Sequence, residues 1–374
     1  MNRPYFLCHL EKSVDFTIFD TKWLPYSAKC IALGRKSNGD GILEMFELND
    51  GGLDKVQEYN FKSSLKSCSF GASSIRKSHV AVVTFDGQLQ VLDLERADVN
   101  YIYSVKAHKG IANCIDAIGG GFMANCGAPE ISTGGSDGHV KIWDLRQKDS
   151  PVVSIAPSCS DTSNMTTTRE CWTVGFGDSY NNEERALCAG YDNGDVKMFD
   201  LRQMKVRWET NTKNGICHVQ FDRRDIPMNK LLVSTLEGGL NVYDLRTQHP
   251  EKGFACVSEC DAGQSLGTKG VISGTKATVW TAQHLPQNRE IFVTCGGTGA
   301  IRLWQYKYPD KRYKVSSDGF KRGTAGSIDM LQATSISSQP INSFDWSPDR
   351  IGLAVCGSFD QMVRILVTTN LHLF

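Results

Sequence analysis

The feature that most constrains this chain is a short two-strand pattern that occurs seven times. Residues 132–147 read STGGSDGHVKIWDLRQ: a strand, a Gly-rich turn that contains an aspartate, and an alternating apolar strand that ends in Trp-Asp-Leu-Arg. Clear copies lie at 82–96, 187–203 and 231–247, and weaker ones at 30–48, 292–306 and 354–368. The second strands share an aromatic or leucine anchor, spaced by 44 to 62 residues, at Phe46, Leu92, Trp143, Phe199, Tyr243, Trp304 and Leu366.

Each copy follows a further short alternating strand. These leading strands read DTKW (20–23), SCSF (67–70), CIDAI (114–118), WTVGF (172–176), CHVQF (217–221), VWTAQHL (279–285) and SFDW (343–346). A small antiparallel sheet cannot bury both faces alone, so repeated sheets stack, and closing the ring leaves no open end. The pattern therefore predicts an all-β, seven-bladed β-propeller around a central channel.

The blade boundaries follow from these repeats. We expect one propeller over residues 1–374, with blades at about 17–60, 64–106, 110–156, 170–210, 214–260, 276–336 and 340–374. Little chain remains after the last copy, too little for another outer strand. The N-terminal segment 5–11 has strand character, and we expect it to complete blade seven and close the ring. A closed ring predicts a monomer.

Charge and composition limit the function classes. Lysine plus arginine equal aspartate plus glutamate at 41 each, whereas nucleic-acid binding usually requires a basic excess. No apolar run reaches the length of a membrane span or a secretory signal. Thirteen cysteines without a secretion signal indicate reduced thiols in the cytoplasm. We therefore expect a cytoplasmic protein with neither nucleic-acid nor membrane partners.

Asp137 lies in the tight turn of the 132–147 pattern, where a carboxylate can accept backbone N–H bonds. The repeats resemble those of WD-repeat proteins, in which such an aspartate joins a histidine, a Ser/Thr and the tryptophan in one hydrogen-bonded network. The matching positions are His108, Thr133, Asp137 and Trp143. The turn aspartate recurs without the histidine at Asp86, Asp192 and Asp360. We interpret these residues as stabilising rather than catalytic.

Signatures of catalysis are missing from the sequence. It has no H-E-x-x-H, G-x-S-x-G or complete phosphate-loop motif, and GQSLGTKG (263–270) lacks the phosphate-loop spacing. Cys256 and Cys260, with His249 nearby, lack the second ligand pair of a structural zinc site. We predict no enzymatic activity, no cofactor and no metal.

Two loops differ in composition from the rest of the chain. Residues 158–170 are rich in serine and threonine, and we expect them to be mobile. Residues 307–322 carry six basic and two acidic residues interleaved with Tyr308, Tyr313 and Phe320. Such a mixture can bind acidic partners or single-stranded nucleic acid, but we interpret it as a solvated excursion between blade strands.

Residues 171–202, 214–259, 284–297 and 339–350 resemble the dynein axonemal assembly factor family of WD-repeat β-propellers. The resemblance extends over nearly the whole chain and includes loops, such as RTQHPEKGF and LPQNRE, that no propeller requires. It implies a cytoplasmic, non-catalytic adaptor that helps axonemal dynein heavy chains assemble. The implied partners are the Hsp90 co-chaperone assembly with RuvB-like ATPases, a tetratricopeptide scaffold and a prefoldin-like module; a link to apoptosis is also implied.

Partner contacts are expected near the starts of the leading strands, close to the rim of the channel. Interfaces concentrate their binding energy in aromatic and arginine side chains, so the candidates are Trp172, Trp280, Arg169 and Lys213. Each of them can equally pack inside its blade. A second hypothesis is a substrate receptor of a cullin ubiquitin ligase, because the Asp-Leu-Arg endings at Arg146, Arg202 and Arg246 resemble a docking surface for its adaptor.

Overall fold

The computed structural model describes residues 3–73, 77–99, 101–119, 130–157, 169–178, 185–223, 228–260, 262 and 276–373. Within these residues, the strands form seven four-stranded antiparallel sheets and one two-stranded hairpin. The predicted all-β, seven-bladed propeller is confirmed. Residues 158–168 of the Ser/Thr-rich loop and the GQSLGTKG stretch (263–270) lie outside the described residues.

The strands follow the chain with one exception. Strand β1 (Tyr5–Ser13) precedes blade 1, which contains β2 (Thr17–Trp23), β3 (Lys29–Arg35), β4 (Gly41–Asn49) and β5 (Gly52–Phe61). Blade 2 contains β6 (Leu65–Phe70), β7 (His79–Thr84), β8 (Gln88–Asp93) and β9 (Tyr101–Lys106). Blade 3 contains β10 (Ala112–Ile118), β11 (Glu130–Gly135), β12 (Val140–Trp143) and β13 (Val153–Ile155).

The second half repeats this arrangement. Blade 4 contains β14 (Cys171–Asp178), β15 (Arg185–Tyr191), β16 (Asp195–Asp200) and β17 (Lys205–Asn211). Blade 5 contains β18 (Ile216–Phe221), β19 (Lys230–Thr235), β20 (Leu240–His249) and β21 (Gly253–Glu259). Blade 6 contains β22 (Val279–Leu285), β23 (Asn288–Gly296), β24 (Ala300–Lys307) and β27 (Ser327–Ser335), with the hairpin β25 (Tyr313–Val315) and β26 (Lys321–Gly323) inserted before β27.

Blade 7 joins the two ends of the chain, as predicted. It contains β28 (Ile341–Trp346), β29 (Leu353–Ser358) and β30 (Met362–Thr369), and β1 pairs antiparallel with β30 as its outer strand. A short 3₁₀ helix, Leu371–Leu373, follows. The ring is thereby closed by main-chain hydrogen bonds rather than by side-chain packing alone.

The hydrophobic core is divided into seven layers, one between each pair of neighbouring blades. Because each sheet packs against a neighbour on both faces, its second strand is buried almost throughout: every residue of β15 and β19 is buried. This explains why these strands read as continuous apolar runs instead of alternating ones. Seven tight layers hold the loops on a rigid ring.

The basic segment 307–322 is an exposed excursion between β24 and β27, as expected, but it is an ordered hairpin rather than an irregular loop. It forms the β25–β26 hairpin and packs against blade 5, where its polar side chains find buried partners. Arg312 donates to both oxygens of Asp244 at 2.9 and 2.5 Å. Lys230 Nζ donates to the Tyr308 hydroxyl at 2.7 Å. The segment is therefore an ordered bridge between blades 5 and 6.

The described residues contain no helix with the length and apolar character that crossing a bilayer requires.

Candidate protein-interaction face

The innermost strand of every blade lines a central channel of about 730 Å³. We call the end at which these strands begin the top face; it also carries the turns between the second and third strands. The other end is the bottom face. The loops differ in sequence while the strands repeat, so specific contacts belong to these faces and to the channel mouth.

A β-bulge interrupts every innermost strand close to its first residue. Each bulge is a register shift that leaves one residue unpaired with the second strand. Bulges re-aim side chains, and all seven bulged residues line the channel. They are Phe19, Lys66, Asn113, Trp172, Cys217, Trp280 and Asn342, and we call this set the top rim.

Aromatic residues are prominent in the top rim. Phe19 packs on Phe85 with ring centroids 5.2 Å apart, and Lys66 Nζ lies 5.1 Å from the Phe19 centroid. Trp172 Nε1 donates to Glu170 at 3.1 Å, which fixes the orientation of the indole. The sequence placed Trp172 and Trp280 near the rim, and the structure brings both to it; the shared bulge position was not foreseen.

Turns on the top face add further apolar side chains. Leu236 and Phe359, on these turns, are 38 and 39 % exposed, and Trp280 of the top rim is 36 % exposed, although large apolar side chains usually lie inside. Together with Phe19, Phe85 and Trp172, they place an apolar or aromatic side chain on six of the seven blades. Apolar anchors of this kind, surrounded by polar loops, are typical of protein-binding surfaces.

The innermost strands are tied to one another by side chains. Each innermost strand pairs with the second strand of its blade on one edge, and among the described strands its other edge has no strand partner. The backbone N–H groups on that free edge need other acceptors. At six of the seven junctions, a polar side chain of one blade accepts a backbone N–H of the next: Asp20 from Cys68, Ser69 from Ala117, Asp116 from Phe176, Thr173 from Val219, Gln220 from His284 and Asp345 from Trp23. Sequence reasoning missed this set, although polar residues inside the apolar leading strands were the available signal.

Two histidines of the channel wall, His218 and His284, have lowered pKa values. Burial lowers the pKa of His218 to about 4 and that of His284 to about 3. Both rings are therefore neutral at neutral pH. Neither ring forms a hydrogen bond to a carboxylate among the described residues. The wall provides no positioned acid–base pair at these histidines.

The structure brings together the four residues matched to the WD-repeat network. His108 Nδ1 lies 2.9 Å from Asp137 Oδ1, and His108 Nε2 lies 2.8 Å from Thr133 Oγ1. Trp143 Nε1 donates to the same Thr133 oxygen at 2.9 Å. Because a carboxylate only accepts, Nδ1 must carry the proton, and in the neutral ring the threonine hydroxyl donates to Nε2. The chain of bonds runs from the core tryptophan to the top-face loop.

Asp137 also fixes the backbone of that loop. Its Oδ2 accepts the Lys109 N–H at 2.9 Å, and its Oδ1 accepts the His139 N–H at 3.2 Å. Burial alone raises the pKa of Asp137, but the hydrogen bonds from His108 and Lys109 outweigh it, and the pKa is well below its usual range. The loop that leads into β10 and its rim residue Asn113 is thereby held in place.

Replacing Asp137 by asparagine should lower the free energy of unfolding by about 1–3 kcal/mol at pH 7, because His108 and Lys109 lose a charged acceptor. A depressed folded pKa stabilises the protein above the unfolded pKa of about 3.9 and loses that effect as the pH falls through the folded pKa. Urea unfolding between pH 7 and pH 3 should show the gap between the wild type and the variant closing below about pH 4. A pH-independent gap would contradict this assignment.

The other turn aspartates differ from one another. Asp86 accepts from Thr84 Oγ1 at 2.5 Å. Asp360 accepts from Ser358, Ser337 and Arg364, whereas the tryptophan position of blade 7 is occupied by Leu366. At Asp192, Oδ1 has no hydrogen-bond partner among the described residues, and burial raises the pKa more than the backbone N–H groups of Glu170 and Asn193 lower it.

In blade 4, a second aspartate also holds the turn. Asp195 accepts from the Arg169 guanidinium at 3.0 Å and from Asn211 at 2.6 Å. Arg169 is thus partly committed to its own blade. Lys213 is exposed in a left-handed turn with a φ of 60°, and its N–H donates to Asn211. Of the four candidate contact residues, the two tryptophans remain the strongest.

The three Asp-Leu-Arg endings lie on the bottom face. In each, the aspartate accepts the backbone N–H of the arginine two residues later, at 2.9 to 3.0 Å. The Arg146 guanidinium bonds to its own Asp144, and Arg246 Nε donates to Asn229 at 3.1 Å. The endings therefore act as turn caps, and no shared orientation of Arg146, Arg202 and Arg246 is evident from these contacts.

The residues considered for zinc are engaged elsewhere. His249 Nε2 lies 3.1 Å from Asp318 of the inserted hairpin, whereas Cys256 contacts Ser258. Across the described ranges, no group of three or more metal-ligating side chains is found. Burial raises the pKa of buried thiols such as Cys30 and Cys356 to about 12, so they behave as small apolar residues.

The fold and the repeated turn network define a WD-repeat propeller, and a family model for the WD domain, G-beta repeat, matches residues 330–365. A model for the nucleolar protein 10-like N-terminal domain matches residues 80–247. Dynein axonemal assembly factor 10 from Xenopus laevis is 49% identical over 372 residues, covering 100% of this chain and 98% of the relative.

Two more relatives extend this match. Dynein axonemal assembly factor 10 from Homo sapiens is 48% identical over 370 residues, and that from Chlamydomonas reinhardtii is 47% identical over 371 residues. Each match covers 99% of this chain and 98% of the relative. The chain belongs to the dynein axonemal assembly factor 10 family, which confirms the resemblance.

Proposed function

We propose that the protein is a non-catalytic, cytoplasmic adaptor in the assembly of axonemal dyneins. The observation that carries this proposal is the match along the whole chain to dynein axonemal assembly factor 10 of a green alga and of vertebrates. A likeness of fold alone would not indicate a function. Here the identity of about half the residues spans loops as well as blades, and the loops carry function in propellers.

The top rim supports a binding role. A closed ring keeps its apolar side chains in fixed positions, so little conformational entropy is lost when a partner docks. By family resemblance, the partners are the Hsp90 co-chaperone assembly with RuvB-like ATPases, the tetratricopeptide scaffold and the prefoldin-like subunits. Dynein heavy chains are the proposed clients.

Complementation in Chlamydomonas tests the proposed function. The gene of the 47% identical relative would be disrupted and this chain expressed in its place. We expect dynein heavy chains to return to isolated axonemes, measured by quantitative mass spectrometry, together with swimming speed. A chain that is expressed and folded but leaves the axonemal dynein content unchanged would contradict the proposal.

Replacing Trp172 and Trp280 together by alanine should reduce capture of protein partners at least tenfold while the propeller stays folded. Each tryptophan lies at a bulge and contributes partly exposed aromatic surface to the rim, and central anchors of this kind typically contribute 2 kcal/mol or more to binding. The measurement is affinity capture of the tagged protein from the cytosol of ciliated cells, quantified against wild type.

A matched control uses the bottom face. Tyr26 and Ile351 expose more side chain than the two tryptophans, so their joint replacement by alanine removes apolar area from the opposite face. The control variant should capture the chaperone components normally. Equal loss in both variants, or recovery of a cullin adaptor with no chaperone component, would contradict the assignment of the top rim.

A further inference from the structure

The inserted β25–β26 hairpin has a docked side and an open side. On the docked side, two charges of the inserted segment contact blade 5: Arg312 pairs with Asp244, and Asp318 contacts His249. Gly323 packs closely against Ala255 and Thr247 of blade 5, where a Cβ would lie 3.1 Å from atoms of each. The hairpin is therefore held in one position on the bottom face.

The open side carries uncompensated positive charge. Within the described part of the chain, no carboxylate lies within ion-pair distance of Lys311, Lys314, Lys321 or Arg322, all of which are exposed. Two acidic residues, Asp310 and Asp318, lie close to these four cations in the sequence, and Asp318 already contacts His249. Pairing on the docked side has thus left a local cationic surface on a chain whose net charge is zero.

Two of these cations face each other across the hairpin. Lys314 and Arg322 are directly opposite in the β25–β26 register, and like charges in that position destabilise a strand pair. An anion bound between Lys314 and Arg322 would relieve the repulsion between these two side chains. The arrangement favours a carboxylate-bearing ligand lying over Lys314 and Arg322.

Apolar side chains lie next to the charges. Tyr313, Val315 and Phe320 are 45, 67 and 53 % exposed, and Lys321 Nζ lies 4.6 Å from the Tyr313 ring centroid. Side chains alternate between the two faces of a strand. Tyr313 and Val315 therefore share one face of β25, and Lys314 lies on the other.

One edge of the hairpin is free for pairing. Thr324 N–H donates to Arg312 C=O and Ser316 N–H donates to Phe320 C=O, so the backbone groups of residues 312, 314 and 316 face β26. Those of Tyr313 and Val315 then face away from it. Among the described strands, β25 pairs with β26 alone. An extended chain can add there as a third strand.

We propose that β25 is a docking site for an extended acidic segment of a partner protein, in which carboxylates alternate with apolar side chains. Added at this edge, such a segment places its carboxylates opposite Lys314 and its apolar side chains opposite Tyr313 and Val315. A peptide fits better than single-stranded nucleic acid, because the open backbone edge pairs with another backbone and the alternation matches a strand. The site is on the face opposite the top rim and does not depend on the proposed function.

Fluorescence anisotropy with a labelled twelve-residue peptide of alternating glutamate and valine tests this inference. The intact chain should bind it at low salt, and Lys314→Glu should weaken binding about tenfold or more. Because that substitution replaces a repulsive cross-strand pair by an attractive one, it should not lower the thermal midpoint. If Lys314 had only a structural role, Lys314→Glu would lower the thermal midpoint and leave peptide binding unchanged. Lys205→Glu, at an exposed lysine of blade 4, is the matched control and should bind normally.

Three further probes make the result decisive. A peptide with the same glutamates and valines in an order without alternation should bind at least tenfold more weakly, as should alternating lysine and valine. Val315→Pro, which removes an outward N–H, should weaken binding while Lys314 remains. The proposal is overturned if the alternating acidic peptide binds no better than these peptides, if Lys314→Glu binds like wild type, or if twelve-residue oligothymidylate binds more tightly than the peptide.

Discussion

Replacing Lys230 by methionine should lower the free energy of unfolding by about 3–5 kcal/mol. Lys230 and Asp222 form a fully buried ion pair with an Nζ–Oδ2 distance of 3.4 Å. Burial raises the pKa of Asp222, but the Lys230 charge and the Lys230 and Asn229 hydrogen bonds outweigh it, and the pKa is below its usual value. Without Lys230, the carboxylate keeps its backbone donors but loses the cation paired with it, so a buried negative charge is left uncompensated.

Equilibrium unfolding in urea measures this loss, and a double-mutant cycle isolates the pair. Adding Asp222→Asn to Lys230→Met removes the uncompensated charge and should recover part of the stability. Tyr308→Phe is the control for the neutral part of the cluster, since it removes only the hydroxyl bonded to Lys230 and Asn229. It should lose about 1 kcal/mol. A loss below 1 kcal/mol for Lys230→Met would show that the pair is not buried in solution.

The surroundings of Lys230 explain why the sequence did not predict that segment 307–322 is an ordered hairpin. Its composition is that of a solvated loop, and nothing within it indicates a docking surface. The partners of Tyr308 and Arg312 are Asn229, Lys230 and Asp244, which lie 68 to 79 residues earlier in the chain. Local patterns reveal strands and turns, but they cannot show which distant side chains will meet.

The blades themselves were readable because each is a local unit. Turn residues such as Asp137, and anchors such as Trp143, recur at fixed distances from alternating strands, so number and order follow from the sequence. Ring closure by β1 followed from the need to cover the edge of β30. These are consequences of short-range periodicity and of one topological constraint.

The candidate site was only partly readable. The positions of Trp172 and Trp280 at the starts of leading strands indicated the rim, but their exposure depends on bulges, which arise from strand register. The repeat indicated a turn role for Asp192, but it did not indicate that Asp195 also holds that turn through Arg169 and Asn211. The sequence alone cannot show which of these two carboxylates accepts more hydrogen bonds, because that depends on where the folded chain places the donors.

Removing residues 1–13 should destabilise the protein by more than about 5 kcal/mol and promote self-association, because β1 contributes both core and edge protection. Phe6 is buried and stacks on Trp346 with centroids 6.3 Å apart, and losing such a phenylalanine alone typically costs about 3–5 kcal/mol. The deletion also leaves β30 with an unpaired edge, which is a template for pairing with another chain. Thermal unfolding and light scattering measure the two effects.

A single charge of the same strand provides the control. Glu11 is half exposed and bonds to Arg364 at 2.7 Å, while Arg364 keeps Asp360 at 2.6 Å as a second partner. Glu11→Gln should therefore lose no more than about 1 kcal/mol. A synthetic peptide of residues 3–13 should restore stability to the truncated chain by refilling the edge of β30. If the truncated chain were as stable and as monodisperse as wild type, blade 7 would be complete with three strands, and packing between blades, rather than strand exchange between the chain ends, would be what closes the ring.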